Sequence, residues 1–403
     1  MSKRTIHLAR ILLCATYVLM LSSRHVLAAE PDNAQPAKKA GDFQSLFNGK
    51  DLAGWVKEGK AGFVVRDGLL RCTGSGNYPT WLRTKEVFEN FVLRLEYRPL
   101  YGAEGGVFFS APLHGRISRV GFDVRLGSNT GRPRKHSPGA IFEAVAPTKE
   151  AALHYSNPKF NRLEIRMDWP KLKVTLNGQV VQDLNIEEHE LLRYRPRLGY
   201  IGLQDRGKPI LFRNIEIKRL PDKVRGEWKS LHNGKDFSGW HKSEKNSAIW
   251  SVDDEGAILA DKGHGYMITD GEYRNLHFET YIKSSPRANG GIFFRWKSQG
   301  NRGFEIQIED IPDSSDPTGS IYNRVRAEQM PFIPGTWVLM QVFLEDRTCV
   351  VRVNGVVVAK SDKMPAARDG NISLQMHTGK GWVRWKGLRV RTIKPRPLVA
   401  PGM

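Results

Sequence analysis

The sequence predicts an all-β protein made of two tandem antiparallel β-sandwiches of jelly-roll type. The first observation behind this is a duplication. Phe47-Asn48-Gly49-Lys50-Asp51-Leu52-Ala53-Gly54-Trp55 returns as His232-Asn233-Gly234-Lys235-Asp236-Phe237-Ser238-Gly239-Trp240, an offset of 240 − 55 = 185 residues. Gly105-Gly106-Val107-Phe108-Phe109 is answered by Gly290-Gly291-Ile292-Phe293-Phe294, and Gly121-Phe122-Asp123-Val124-Arg125 by Gly303-Phe304-Glu305-Ile306-Gln307. A repeat of that length is a complete domain with its own core, not a solenoid unit or a propeller blade. The second observation is a hydrophobic period of two, as in Phe91 to Tyr97 and His277 to Ile282, with no long amphipathic helix. The third is an Asn-Gly pair between two apolar runs in each repeat, Asn177-Gly178 and Asn354-Gly355, the strongest short-range hairpin signal.

In chain order, residues 1–28 read as a secretory signal peptide. Lys3, Arg4 and Arg10 precede an apolar run from Ile11 to Leu21, and Val26-Leu27-Ala28 supplies small residues at cleavage spacing. The run falls short of the roughly 20 apolar residues of a spanning helix, so no stable membrane span is expected. The mature protein is expected to be exported, periplasmic or secreted. Residues 29–41, rich in Ala, Pro, Lys and Asp, form a flexible leader. The first sandwich is expected over 42–220, a short charged hinge from Pro221 to Gly226, the second sandwich over 227–394 and a tail over 395–403. Cys14 leaves with the signal; Cys72 and Cys349 fall one in each repeat at positions that do not correspond, so neither domain closes an internal disulfide. Two small buried side chains are the expectation.

The formal charge is +20. Removing Lys3, Arg4, Arg10 and Arg24 leaves 20 − 4 = +16. Such an excess suits a generally basic exported surface, an anionic glycan or an anionic envelope surface. Nucleic acid is not expected as a partner, because the cations are scattered over strands and turns and no nucleic-acid motif is present.

In the opening F-N-G-K-D-L-x-G-W, the Gly-Gly-Ile/Val-Phe-Phe strand, the run Glu305 to Asp310, Gly319-Ser320-Ile321-Tyr322, the Asn-Gly hairpin and the Leu374-Gln375 strand, the chain resembles the 3-keto-disaccharide hydrolase domain family, in two tandem copies. That resemblance implies a concanavalin-like lectin and glucanase fold. It also implies action on sugars already oxidised at carbon 3, as a 3-keto-glycoside lyase or hydratase or as the net hydrolase. A carbohydrate, the 3-keto-glycoside, is then the expected partner.

A ketone at carbon 3 acidifies the hydrogen at carbon 2, so such a site needs a base, a stabiliser of the enolate oxygen and an acid for the leaving group. Glu305, Gln307 and Glu309 alternate along one strand and share a face. Glu305, Asp310 and His377 are the catalytic candidates, with Asp310 reaching the same cleft only through a bulge or turn. Gln307, Glu309, Arg295, Trp296, Tyr322 and Gln375 are the candidate substrate-binding residues, Arg295 as a cation for the enolate. Trp382 and Trp385 could offer ring faces, although Trp385 aligns with Phe212 and reads as core. In the first repeat Asp123, Arg125, Gly127, Ser128 and Arg206 stand where the second has Glu305, Gln307, Glu309, Asp310 and His377. That repeat therefore reads as a degenerate partner, with Arg116, Arg119, Arg125, Arg132, Arg134 and Lys135 around the remnant. No cofactor is demanded, and the oxygen-rich cluster permits a divalent cation without requiring one. Retaining glucanases on this fold carry E-x-D-x-x-E; Gln307 replaces the orienting Asp, which disfavours ordinary double displacement. The competing expectation is a non-catalytic glycan-binding protein of the cell envelope.

Overall fold

The computed structural model describes residues 42–74, 80–127, 134–148, 159–221, 228–311, 313–329, 331–377 and 381–393. The signal, leader, most of the hinge, the tail, Ser128 and Arg132 lie outside the described residues. Each repeat is a sandwich of one eight-stranded and one five-stranded antiparallel sheet. In the second repeat the five-stranded sheet runs in the order Trp240–Lys242, Gly265–Glu272, Asn371–Met376, Asn289–Trp296, Phe304–Glu309. The first repeat matches it with Trp55–Glu58, Trp81–Phe88, Gly199–Gln204, Gly105–Ala111 and Phe122–Leu126.

The repeated nonapeptide is a turn wired the same way twice. The Asn48 side-chain oxygen accepts from the amides of Lys50 and Asp51 at 2.8 and 3.0 Å, and Asn233 does the same for Lys235 and Asp236. Asp51 and Asp236 then each cap the amide two residues on at 2.9 Å. The turn requires Gly49 and Gly234 at φ 74° and 73°, where a side chain would be strained. It ends by burying Trp55 and Trp240, whose indole N–H groups donate to the Leu46 and Leu231 carbonyls. Alternation does the rest: Leu93, Leu95 and Tyr97 face the first core while Arg94, Glu96 and Arg98 face outward. Both Asn-Gly pairs form the expected hairpins, with Asn177 and Asn354 at φ 50° and 45°. Cys72 and Cys349 are buried and unbridged, each pushed up to about 12 by burial. Trp385 lies in the core as its alignment with Phe212 indicates.

The two sandwiches pack head to tail. Between Phe109 and Phe122 the first repeat has 12 residues where the second, between Phe294 and Phe304, has 9. The longer loop carries the one-turn helix Ile117–Val120, and its Val120 packs with Tyr281 and Leu339 on the outer face of the second repeat's eight-stranded sheet. From that face Arg352, only 3% exposed, donates to the carbonyls of Arg119, Val120 and Tyr194 and to Gln341. Arg389 reaches the Leu198 carbonyl at 3.1 Å and Arg391 the Glu89 carboxylate at 2.7 Å. A guanidinium buried that deeply persists because oxygens from both repeats meet it.

Candidate functional site

The outer face of the second repeat's five-stranded sheet holds a line of polar side chains. Gly291 is paired with Gln307 on one side and Gln375 on the other, and Gln375 is paired in turn with Tyr266. Paired residues share a face, so the row Tyr266, Gln375, Gly291, Gln307 crosses four strands. Glu305, one pleat along from Gln307, folds its side chain over Gly291. A Cβ there would lie 2.0 Å from the Glu305 Oε1 atom, so only glycine leaves room for the carboxyl. Tyr266, Phe293 and Trp296 form an aromatic cluster beside it, with Tyr266 and Trp296 ring centroids 4.7 Å apart.

Burial governs the electrostatics. Glu305 is 7% exposed, its Oε1 has no hydrogen-bond partner among the described residues, and burial pushes its pKa up to about 8. Arg302 opposes the rise, while the charges of Glu309 and Asp316 add to it. The Tyr266 hydroxyl accepts from Gln375 Nε2 at 3.2 Å and from Arg302 Nη1 at 3.0 Å. With both lone pairs so engaged, its proton is left to point at a third group. Glu309 is held by Asn289 Nδ2 at 2.5 Å and by the Ser314 hydroxyl, and Asn289 also accepts from Gln307 Nε2 at 3.5 Å.

The fold therefore gathers Glu305, Gln307, Glu309, Gln375 and Trp296, and it treats the other expected residues differently. His377 is exposed, stacks edge-on to His264 with centroids 5.5 Å apart, and binds the Asn289 carbonyl through its amide. Tyr322 donates its amide to the Glu305 carbonyl while its side chain is exposed. Arg295 is a correction. It has φ 59° at a register shift between Phe293 and Trp296, and this bulge sends its guanidinium to the carbonyls of Pro365 and Asp346, at 2.7 and 2.6 Å. The Asp310 amide and carbonyl pair with Ala288 and Arg287, and the carboxylates whose charges add to the rise at Glu305 are Glu309 and the buried Asp316. Tyr266, Arg302, Asp316 and His264 escape sequence reasoning because they lie on a distant strand of the sheet or in flanking loops. The signal for Tyr266 was the register it shares with Trp81, each paired with the strand-end Gln375 or Gln204. Among the described residues no three His, Cys, Asp or Glu side chains are grouped to hold a metal ion.

The first repeat keeps more of this geometry than its sequence implies. Asp123 sits over Gly106 as Glu305 sits over Gly291, again with a Cβ-to-oxygen distance of 2.0 Å. Its carboxyl is fully buried, and burial raises its pKa to about 6 against the pull of Arg125. What differs is access. Arg125, in the place of Gln307, lies 3.7 Å from Asp123 and donates to Gln204 at 3.1 Å, while Ile117 from the extra helical turn packs onto Trp81, Phe108 and Tyr200.

Comparison with known proteins follows these two halves. A family model described as the 3-keto-alpha-glucoside-1,2-lyase-like domain matches residues 42–218 and again 227–391. A 3-keto-disaccharide hydrolase of Bacteroides thetaiotaomicron is 24% identical over 264 residues, covering 51% of this chain and 88% of that protein. Among solved structures, a Parabacteroides distasonis protein assigned to the glycosyl hydrolases is 20% identical with a TM-score of 0.40, covering 45% of this chain and 100% of its own. A Bacillus licheniformis beta-glucanase is 11% identical with a TM-score of 0.34, covering 43% and 100%.

Proposed function

Because the chain belongs to the 3-keto-alpha-glucoside-1,2-lyase-like domain family, we propose that its second repeat cleaves glycosides already carrying a ketone at carbon 3, by elimination and then hydration. The observation that carries this reading is the Glu305 carboxyl, buried over Gly291 with its pKa raised to about 8. A carboxylate of that basicity is matched to an activated C–H at near-neutral pH far better than an exposed one.

In the first step the carbon 2 proton moves to Glu305. The C–H electron pair becomes the double bond of the enolate, whose negative charge rests on the carbon 3 oxygen. Tyr266, its proton free to point outward, supports a hydrogen bond to that oxygen in the role first expected of Arg295. When the ketone reforms, the pair at carbon 2 closes a carbon 1–carbon 2 double bond and expels the glycosidic oxygen, which takes a proton from an acid. His377, paired with His264 at the end of the same strand set, supports that part. Water then adds across the new double bond: His377, left neutral by the elimination, takes one proton from the water as its oxygen bonds carbon 1, and Glu305 returns its proton to carbon 2, so both groups regain their starting states. The sum is hydrolysis. Gln307 and Gln375 orient the ring, and the first repeat orients or stabilises. The N-terminal signal pattern supports an exported enzyme.

The test is leaving-group release from a 3-keto-glucoside and from its unoxidised parent, by the wild-type protein and by Glu305→Gln. Release from the keto sugar alone, lost in the variant, is expected. Release from both sugars would replace elimination with ordinary glycoside hydrolysis. Release from neither, with sugar binding retained, would leave a glycan-binding protein.

A further inference from the structure

The outer face of the eight-stranded sheet has opposite characters in the two repeats. In the second, Tyr281, Leu339, Gln341 and Phe343 occupy it, and the first repeat covers it. The strand registers place Glu96, Arg162, Glu164 and Arg166 at the same four positions of the first repeat. There the face is open: the Arg162 side chain is 83% exposed. A surface freed from packing needs only to be polar, yet this one is built with a pattern.

Its centre is a groove of about 970 Å³ lined by Glu96, Arg98, Lys159, Phe160, Arg162 and Arg213. The Arg98 and Arg213 guanidiniums both lie over the Phe160 ring, at 5.1 and 4.0 Å from its centroid. One carboxylate, Glu96, is shared by Arg213 at 2.7 Å and Arg162 at 3.5 Å. Asp67 at the rim is answered by Arg66 at 3.6 Å. Beside them Glu164 pairs with Arg94 at 2.7 Å, and counting all these groups gives six cations against three carboxylates, a local excess of 6 − 3 = +3.

We infer that this face binds an anionic polysaccharide, with spaced carboxylate or sulfate groups seated on Arg98 and Arg213. The interleaved Glu96 and Glu164 select that class of partner. Between the guanidiniums they accept hydroxyl protons, which a glycan offers between its charges. A duplex nucleic acid carries one phosphate charge about every 1.7 Å and would press phosphates against both carboxylates. An anionic membrane surface, likewise, presents charge without a lattice of hydroxyls. The groove lies on the first repeat, outside the Glu305 site, so the inference stands or falls independently of the proposed chemistry.

The experiment follows fluorescein-labelled oligogalacturonate by anisotropy against the full two-repeat protein at low salt, with a sulfated oligosaccharide as a second probe. Binding is expected for at least one probe, unaffected by neutral dextran and weakened about tenfold or more as salt rises to several hundred millimolar. Lys159→Glu with Arg162→Glu, both exposed and remote from the core, should weaken binding at least about tenfold with the urea unfolding midpoint unchanged. Lys235→Glu, on a distant turn, should leave it unchanged. Absence of binding by either probe at low salt would overturn the inference. So would equal binding by the double variant, or better competition by a duplex oligonucleotide or by phosphatidylserine vesicles.

Discussion

Gly291→Ala probes the candidate site without touching a reactive group. The backbone of Gly291 is not left-handed, so alanine meets no conformational penalty there, and replacing a strand glycine gains about 0.5–1 kcal/mol of stability. The new methyl, however, would lie 2.0 Å from Glu305 Oε1 and 2.8 Å from its Cδ and Cγ, against an ordinary contact distance of 3.4 Å. The carboxyl must therefore move by at least 3.4 − 2.0 = 1.4 Å. A misplacement of roughly 1 Å lowers a rate about 100-fold. We expect kcat on a 3-keto-glucoside to fall by about that factor while the unfolding midpoint changes by no more than about 1 kcal/mol. Gly106→Ala displaces Asp123 in the first repeat by the same geometry and should leave turnover unchanged. Activity in Gly291→Ala within threefold of wild type would refute the placement of the base, and a loss in Gly106→Ala equal to that in Gly291→Ala would refute its assignment to the second repeat.

The remaining predictions concern proton balance and packing. A base works only when ionised, so with a pKa of about 8 the wild-type kcat/KM should rise about tenfold per pH unit below 8 and level off above it, a dependence that a pH profile reads directly. Tyr266→Phe should lower kcat about tenfold or more with little change in KM, because the bond it removes strengthens only as charge reaches the carbon 3 oxygen; a change in KM alone would assign Tyr266 to ground-state binding. Arg352→Met strips three first-repeat carbonyls of their donor and should lower stability by about 2–4 kcal/mol in urea unfolding, whereas an unchanged midpoint would mean that the repeats do not support each other.

Much of this was legible in the residues themselves. The repeated turn announced itself because each of its polar side chains is used locally, by Asn48 and Asp51 and again by Asn233 and Asp236. Alternation sufficed to put Glu305 and Gln307 on one face, since the strand from Phe304 to Glu309 is regular. Alternation failed at Arg295, where a bulge invisible to pattern moves one side chain to the opposite side of the sheet. The exchange of Glu305 for Asp123 looked like loss of a site; the glycine beneath each carboxyl shows that position conserved between the repeats and its entrance altered. Tyr266 could not be joined to Glu305 from sequence, because two other strands of the sheet stand between theirs, and Arg302, only three residues before Glu305, lies in a loop whose course no periodicity gives.

The head-to-tail packing of the two sandwiches is a contact that does not close on itself. An interface of that type, repeated between molecules, adds copies into a ring or an open filament. The stack ends at the first repeat because its outer sheet face presents Glu96, Arg162 and Arg166 where the second presents Tyr281, Leu339 and Phe343, and charges of that density resist desolvation. The same substitutions that leave the face available to a polymer of sugar thus remove from it the apolar patch on which a further copy would stack.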